Sequence, residues 1–138
     1  MKALEGIRIV DLTHMLAGPY GTMLLADMGA EVIKVEPPQT GEGTRRLLEN
    51  DPKNSLHGMG AYFLTLCRNK KSMTLDLRNE KGRAVLYDLV KVFDVVYDNF
   101  RPGVLDRLKA DYNTLKEINP RIISCSCTGF GLIGPGRD

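Results

Sequence analysis

The chain has 138 residues, 43% hydrophobic and 26% charged, with a formal net charge of +2. This is the size of one domain that buries a core without disulfides or metals, and its composition is not that of a disordered chain. So small a charge gives no ground for a nucleic-acid partner, no apolar run reaches the ~18–20 residues of a membrane span, and "MKALEGIRIVDL" lacks a signal-peptide core and cleavage site, so a cytoplasmic protein is expected.

"IRIVDLT" predicts a short buried strand. "AGPYG" is turn chemistry, with Pro19 tolerated in a first helical turn. "YGTMLLADMGA" predicts a helix stopped at Gly29, and "EVIKVE" a second strand. Strand, helix and strand over about 30 residues fit a βαβ unit with parallel strands. "PPQTGEGTRRLLENDPKNSLHGMG" reads as a long surface excursion, which in a compact domain marks a functional loop.

"SMTLDL" predicts the third strand. "NEKGRAVLYDLVKVF" follows as an amphipathic helix with Asn79 as its N-cap. "DVVYDNF" is the fourth strand, "PGVLDRL" and "YNTLKEIN" are short helices, and "RIISCSCTGF" is the fifth strand. The alternation predicts an α/β, Rossmann-like fold, a mostly parallel sheet with helices on both faces. A fifth strand followed by a glycine turn normally introduces another helix, and here the chain stops, so an incomplete domain is expected.

Several residue groups are candidates for chemistry. Gly18 and Gly21 form a G-x-x-G, not the G-x-G-x-x-G of a dinucleotide site, although Glu36 ends the second strand where a ribose-binding acid would sit. That spacing favours tight strand–helix packing over NAD. Arg68, Lys70 and Lys71 before the third strand, with Arg78 after it, fit either a phosphorylated ligand or a solvated strand edge. Asn99, Phe100 and Arg101 follow the fourth strand, where open parallel sheets bind ligands, and Arg107 falls six residues after Arg101. An aromatic and two arginines can stack a base and hold phosphate. Cys125 and Cys127 lack a second pair for zinc, and with Cys67 they are expected as reduced thiols. His14 directly follows the first strand and could reach a ligand, although a lone histidine is more often a structural hydrogen-bonding residue, and His57 in the loop carries no partner signal. No complete catalytic set is present.

Taken in order, "LEGIRIVDLTHMLAGPYGTMLLADMGAEVIKVEPP", "RNKKSMTLDLRNEKG", "DNFRPGVLDRL" and "NPRIISCSCTGFGLIGPGRD" resemble the N-terminal part of the class III CoA-transferases. That family includes formyl-CoA and carnitine CoA-transferases and shares its fold with the α-methylacyl-CoA racemases. The resemblance implies that residues 1–138 are the N-terminal part of a large domain that binds coenzyme A as a substrate, with no metal. It places CoA contacts at Leu16 and Ala17, at Pro37, at Leu75, Asp76, Leu77 and Arg78, at Asn99, Phe100 and Arg101, and at Arg107. Arg78, Asn99, Arg101 and Arg107 are accordingly expected to share a crevice. Leu16 stands where formyl-CoA transferases have glutamine, which argues against a formyl- or oxalate-like acyl group. Pro37 stands where they have arginine, which removes a cation from the nucleotide end.

The resemblance also implies a mechanism. An aspartate attacks the acyl-CoA thioester, giving a mixed anhydride and then an aspartyl-CoA thioester that passes CoA to a second carboxylate. That aspartate is expected a few dozen residues beyond "GPGRD". Asp138 precedes it, so this chain alone is expected to be inactive. The implied partners are acyl-CoA and carboxylate substrates and a second copy in an interlocked homodimer, with a heteromer as the alternative. A 2-methylacyl-CoA racemase, or a non-catalytic CoA-binding module, is the competing reading.

Overall fold

"IRIVDLT" and "EVIKVE" form β1 (Arg8–Asp11) and β2 (Glu31–Glu36), which pair in parallel with Arg8 opposite Glu31 and Asp11 opposite Lys34. The computed structural model describes residues 1–136, so Asp138 lies outside the described residues. Between the two strands runs α1 (Ala17–Asp27), which starts three residues earlier than expected. Pro19 therefore sits inside the first turn, where backbone N–H groups have no intrahelical acceptor to lose. Gly29, at φ +107°, ends the helix as predicted.

The excursion after β2 holds more structure than its composition suggests. A 3₁₀ turn spans Gly43–Arg45, and β3 (Ser55–Leu56) pairs antiparallel with β4 (Met59–Gly60). The two residues between them, His57 at φ +50° and Gly58 at φ +72°, match a type I′ hairpin turn. A six-residue helix, α2 (Ala61–Leu66), then packs on α1 and on the 3₁₀ turn. Two-residue strands and a helix this short are below the length at which periodicity is readable.

The third strand of the sheet is β5 (Lys70–Thr74), two residues earlier than expected. Lys70 is drawn into the sheet because its ammonium reaches Asp11 beneath it. The chain leaves the strand at Leu75, whose N–H bonds Glu36 O, and Asp76 then turns it by accepting the Arg78 N–H. α3 (Glu80–Val92) begins at Asn79, whose side chain caps Lys81 N at 2.9 Å. β6 (Val95–Asp98), α4 (Val104–Arg107), α5 (Tyr112–Ile118) and β7 (Ile123–Ser126) complete the fold. Both last strands are shorter than expected. Asp98 bends the chain out of β6 by accepting Phe100 N, and it ties Ser126 at the end of β7.

All five strands β5-β2-β1-β6-β7, in that order, are parallel. Counted along the chain this is the 3-2-1-4-5 order of a doubly wound sheet, and it reverses direction between β1 and β6. Side chains alternate across the strands. Val10, Val35 and Val96 pack with Leu86 and Val90 of α3 and Leu115 of α5. Ile9 and Val32 pack with Ala26 and Ala30 on the α1 side. Burial of side chains of this size contributes about 1.5–3 kcal/mol each. Among the described residues no helix is long and apolar enough to cross a membrane.

Candidate functional site

On the α1 side the sheet is apolar near the amino ends of its strands and charged near the carboxyl ends. Asp11 is fully buried. One of its oxygens accepts from Thr22 Oγ1 at 2.7 Å and Lys70 Nζ at 3.0 Å, and the other accepts from Thr13 N at 2.9 Å. Lys34 Nζ lies 3.9 Å from this carboxylate. Burial pushes the Asp11 carboxyl upward, but Lys34 and Lys70 outweigh it and hold it below the ordinary range. Glu36 repeats the pattern one pair of residues along. Arg45 grips it through two nitrogens at 2.6 and 2.7 Å, and Ser72 and the Glu42 N–H add further bonds. Although burial opposes ionisation, these partners bring the Glu36 carboxyl down to about 2. The acid once matched to a ribose is therefore committed within the protein.

The turn between β1 and α1 is held by side chains from three other segments. Lys34 donates to Thr13 O at 2.7 Å. Asn99 brackets the His14 peptide unit, accepting from His14 N at 2.7 Å and donating to His14 O at 2.8 Å. Glu42 accepts from Met15 N at 2.9 Å. Met15 adopts φ +64°, a conformation that β-carbon-bearing residues rarely take without such support. Gly18 and Gly21 serve this packing. A Cβ on Gly18 would fall 2.6 Å from Thr13 Cβ, and one on Gly21 would fall 2.8 Å from the Tyr97 hydroxyl.

Above this turn a cavity of about 670 Å³ opens at the carboxyl ends of four strands. β1 contributes Leu12 and His14, β2 is followed by Pro37–Thr40, β5 by Leu75–Arg78, and β6 by Phe100. The His14 and Phe100 rings lie 4.9 Å apart at a tilted angle. Burial, followed by the charge on Lys34, holds His14 below its ordinary pKa, so it is neutral at pH 7. The walls are mostly apolar, with Arg78 exposed at the mouth and paired to Asp76 at 3.0 Å. A second cavity of about 590 Å³ adjoins the first at Phe100 and takes in Arg101, Asp98, Ser126 and Tyr112. A crevice outside the strand ends, beside the point where strand order reverses, is where doubly wound sheets bind ligands.

The profile of CoA-transferase family III matches residues 4–138. The chain belongs to CoA-transferase family III. Formyl-CoA:oxalate CoA-transferase of Rhodopseudomonas palustris (strain HaA2) is 51% identical over 138 residues, covering 99% of this chain and 31% of that protein. Acetyl-CoA:oxalate CoA-transferase of Acetobacter aceti is 45% identical over 131 residues, covering 95% of this chain and 32% of that protein. The crystal structure of a CAIB/BAIF family protein from Brucella suis superposes with a TM-score of 0.87 at 44% identity, covering 97% of this chain and 35% of that one. The chain thus spans about a third of the length of these relatives.

Within this family III chain, the expected contact residues separate into groups. Pro37, Leu75, Asp76, Leu77, Arg78 and Phe100 line the first cavity. Arg101 lines the second, which shares Phe100 with the first. Asn99 stands behind His14 with its amide bound to that backbone. Leu16 and Ala17 are exposed on the turn and line neither cavity. Nor does Arg107, whose guanidinium lies near Gly103 at the base of its own helix. Arg78, Asn99, Arg101 and Arg107 therefore do not share one crevice. Arg78 and Arg101 line the two cavities that meet at Phe100, and Asn99 and Arg107 line neither.

The cationic cluster at the start of β5 does not form one site either. Arg68 pairs with Asp27 and Lys71 with Glu31, both at 2.5 Å, while Lys70 is buried on Asp11, all at the end of the strand opposite Arg78. No motif flags Lys34, Glu42 or Arg45, although all three shape the turn or the loop beside the cavity. One signal was available. Two charges at alternate positions in the apolar strand "EVIKVE" require buried partners.

Proposed function

We propose that this chain is the CoA-binding N-terminal part of a cytoplasmic enzyme that moves coenzyme A between carboxylic acids. The observation that carries the reading is the cavity at the ends of β1, β2, β5 and β6, in a chain of CoA-transferase family III. In this reading the apolar walls at Leu75, Leu77 and Phe100 take the adenosine end of CoA, and Arg78 at the mouth faces its phosphates. Pro37 supplies an apolar wall where the formyl-CoA transferases carry arginine, so more of the phosphate charge falls on Arg78 and on Arg101 beyond Phe100. The locked turn presents Leu16 and Ala17 to the thioester arm. An apolar Leu16 favours an acyl group less polar than oxalate or formate.

The reacting aspartate comes from the part of the protein beyond this chain. It attacks the thioester carbonyl and expels CoA as thiolate, leaving a mixed anhydride; the thiolate then attacks the aspartyl carbonyl and expels the first carboxylate, giving an aspartyl thioester. The second carboxylate attacks that thioester and expels the thiolate, which attacks the new acyl carbon to form the product acyl-CoA and free the aspartate. Covalent catalysis of this kind divides one hard exchange into easier steps. The working unit is an interlocked homodimer.

The test uses the full-length protein, an acyl-CoA and a labelled carboxylate. Label is expected to enter the acyl-CoA pool, and borohydride or hydroxylamine is expected to trap an acyl-enzyme. Solvent deuterium entering the α-carbon with no CoA exchange would identify a racemase and overturn the reading.

A further inference from the structure

We propose that Glu42 is a positioning residue, which holds the His14–Met15 turn in the shape that receives the acyl-CoA. The inference rests on the reading of the cavity as a CoA site. Glu42 is 1% exposed and, among the described residues, makes no ion pair. Its carboxylate is instead satisfied by the Met15 N–H, the Thr44 N–H and the Thr44 hydroxyl. A buried carboxylate with no cation within ion-pair distance is a costly way to hold a surface turn, and a neutral side chain would suffice for packing alone. What the charge provides is a strong acceptor aimed at Met15, the residue at φ +64°.

Glu42 also connects the two sides of the cavity. Its own N–H donates to Glu36 Oε2 at 2.8 Å, and Glu36 is the last residue before the Pro37–Thr40 wall. His14, next to Met15, lines the opposite side, where Asn99 holds its peptide group. The wall, the turn and the ring that faces the cavity are therefore joined through one residue, whose backbone N–H holds Glu36 and whose side chain holds the turn. Losing that acceptor frees the Met15 N–H and lets His14 and the turn move relative to the wall. The consequence falls on binding.

The full-length protein carrying Glu42→Ala or Glu42→Gln tests this by steady-state kinetics, with calorimetric titration of CoA alongside. Glu42→Ala is expected to raise KM for the acyl-CoA about tenfold, the loss of one charge-assisted bond, with kcat within about twofold of wild type. Glu42→Gln keeps its shape but can satisfy only one of Met15 and Thr44, so its KM falls between the two. A KM unchanged in both variants overturns the proposal. So does a kcat that falls with the folded fraction while KM stays fixed, because that is a structural role only. If Glu42→Ala does not fold, Glu42→Gln decides: KM raised at least about twofold supports the role, and KM equal to wild type overturns it. Failure of CoA to bind the wild-type protein would instead overturn the reading of the cavity.

Discussion

A Cβ on Gly18 would stand 2.6 Å from Thr13 Cβ and 3.0 Å from Asn99 Cγ, the two residues that shape the turn beside it. Gly18→Ala therefore forces the helix away from the turn and is expected to cost about 1–3 kcal/mol, read as a lower midpoint in urea unfolding. The glycine pair was legible as packing and not as a dinucleotide loop, because spacing alone separates the two. Glu36 stabilises the fold through its charge. Its folded pKa of about 2 lies below the ordinary 4.5, so its contribution is present above pH 4.5 and is lost as pH falls from there toward 2. The amount is on the order of 3 kcal/mol. Melting curves between pH 6 and 3 are expected to fall less steeply for Glu36→Gln than for wild type, and equal slopes would contradict the assignment. Cys67 is pushed by burial up to about 11, so it is a neutral thiol at pH 8. It is expected to react with iodoacetamide well below the rate of a free cysteine.

At the scale of elements, the strands and helices that could be read were those with a run of apolar periodicity and a cap. α3 is the clearest case: Val85, Leu86, Leu89, Val90 and Phe93 recur at helical spacing, and Asn79 closes its first turn. Asn79→Ala is expected to cost about 1 kcal/mol by loss of that cap, checked by thermal unfolding. The β3–β4 hairpin and α2 were not readable, since each is too short to show a period. β5 began earlier than its apolar residues suggest because a buried ion pair, not hydrophobicity, recruited Lys70. The site followed the same division. Phe100 was read from the rule that ligands sit beyond parallel strand ends, whereas Leu75, Asp76 and Leu77 came only from the family resemblance. Lys34, Glu42 and Arg45 escaped because their partners lie 21, 27 and 9 residues away and only folding brings them together.

At the scale of the whole molecule, exposed apolar residues gather on two parts of the surface. Leu16, Tyr20, Leu24 and Met28 recur every four residues along the outside of α1, each 43–56% exposed. Phe130 and Ile133, both 84% exposed, extend the apolar surface beyond β7. Exposed patches of this kind mark interfaces, and here they belong to a chain that spans about a third of its relatives. Residues 1–138 alone are expected to bind a hydrophobic dye and to self-associate in sedimentation velocity. A monodisperse monomer with a cooperative melt would show that the fragment is self-sufficient. The five-stranded sheet, the locked turn and the cavity at its strand ends all lie within the described residues. A crystal structure of the full-length protein with CoA tests the assignment of that cavity directly. The nucleotide should lie between Pro37–Thr40 and Leu75–Arg78, against Phe100. CoA bound elsewhere, with that cavity empty, would contradict the account.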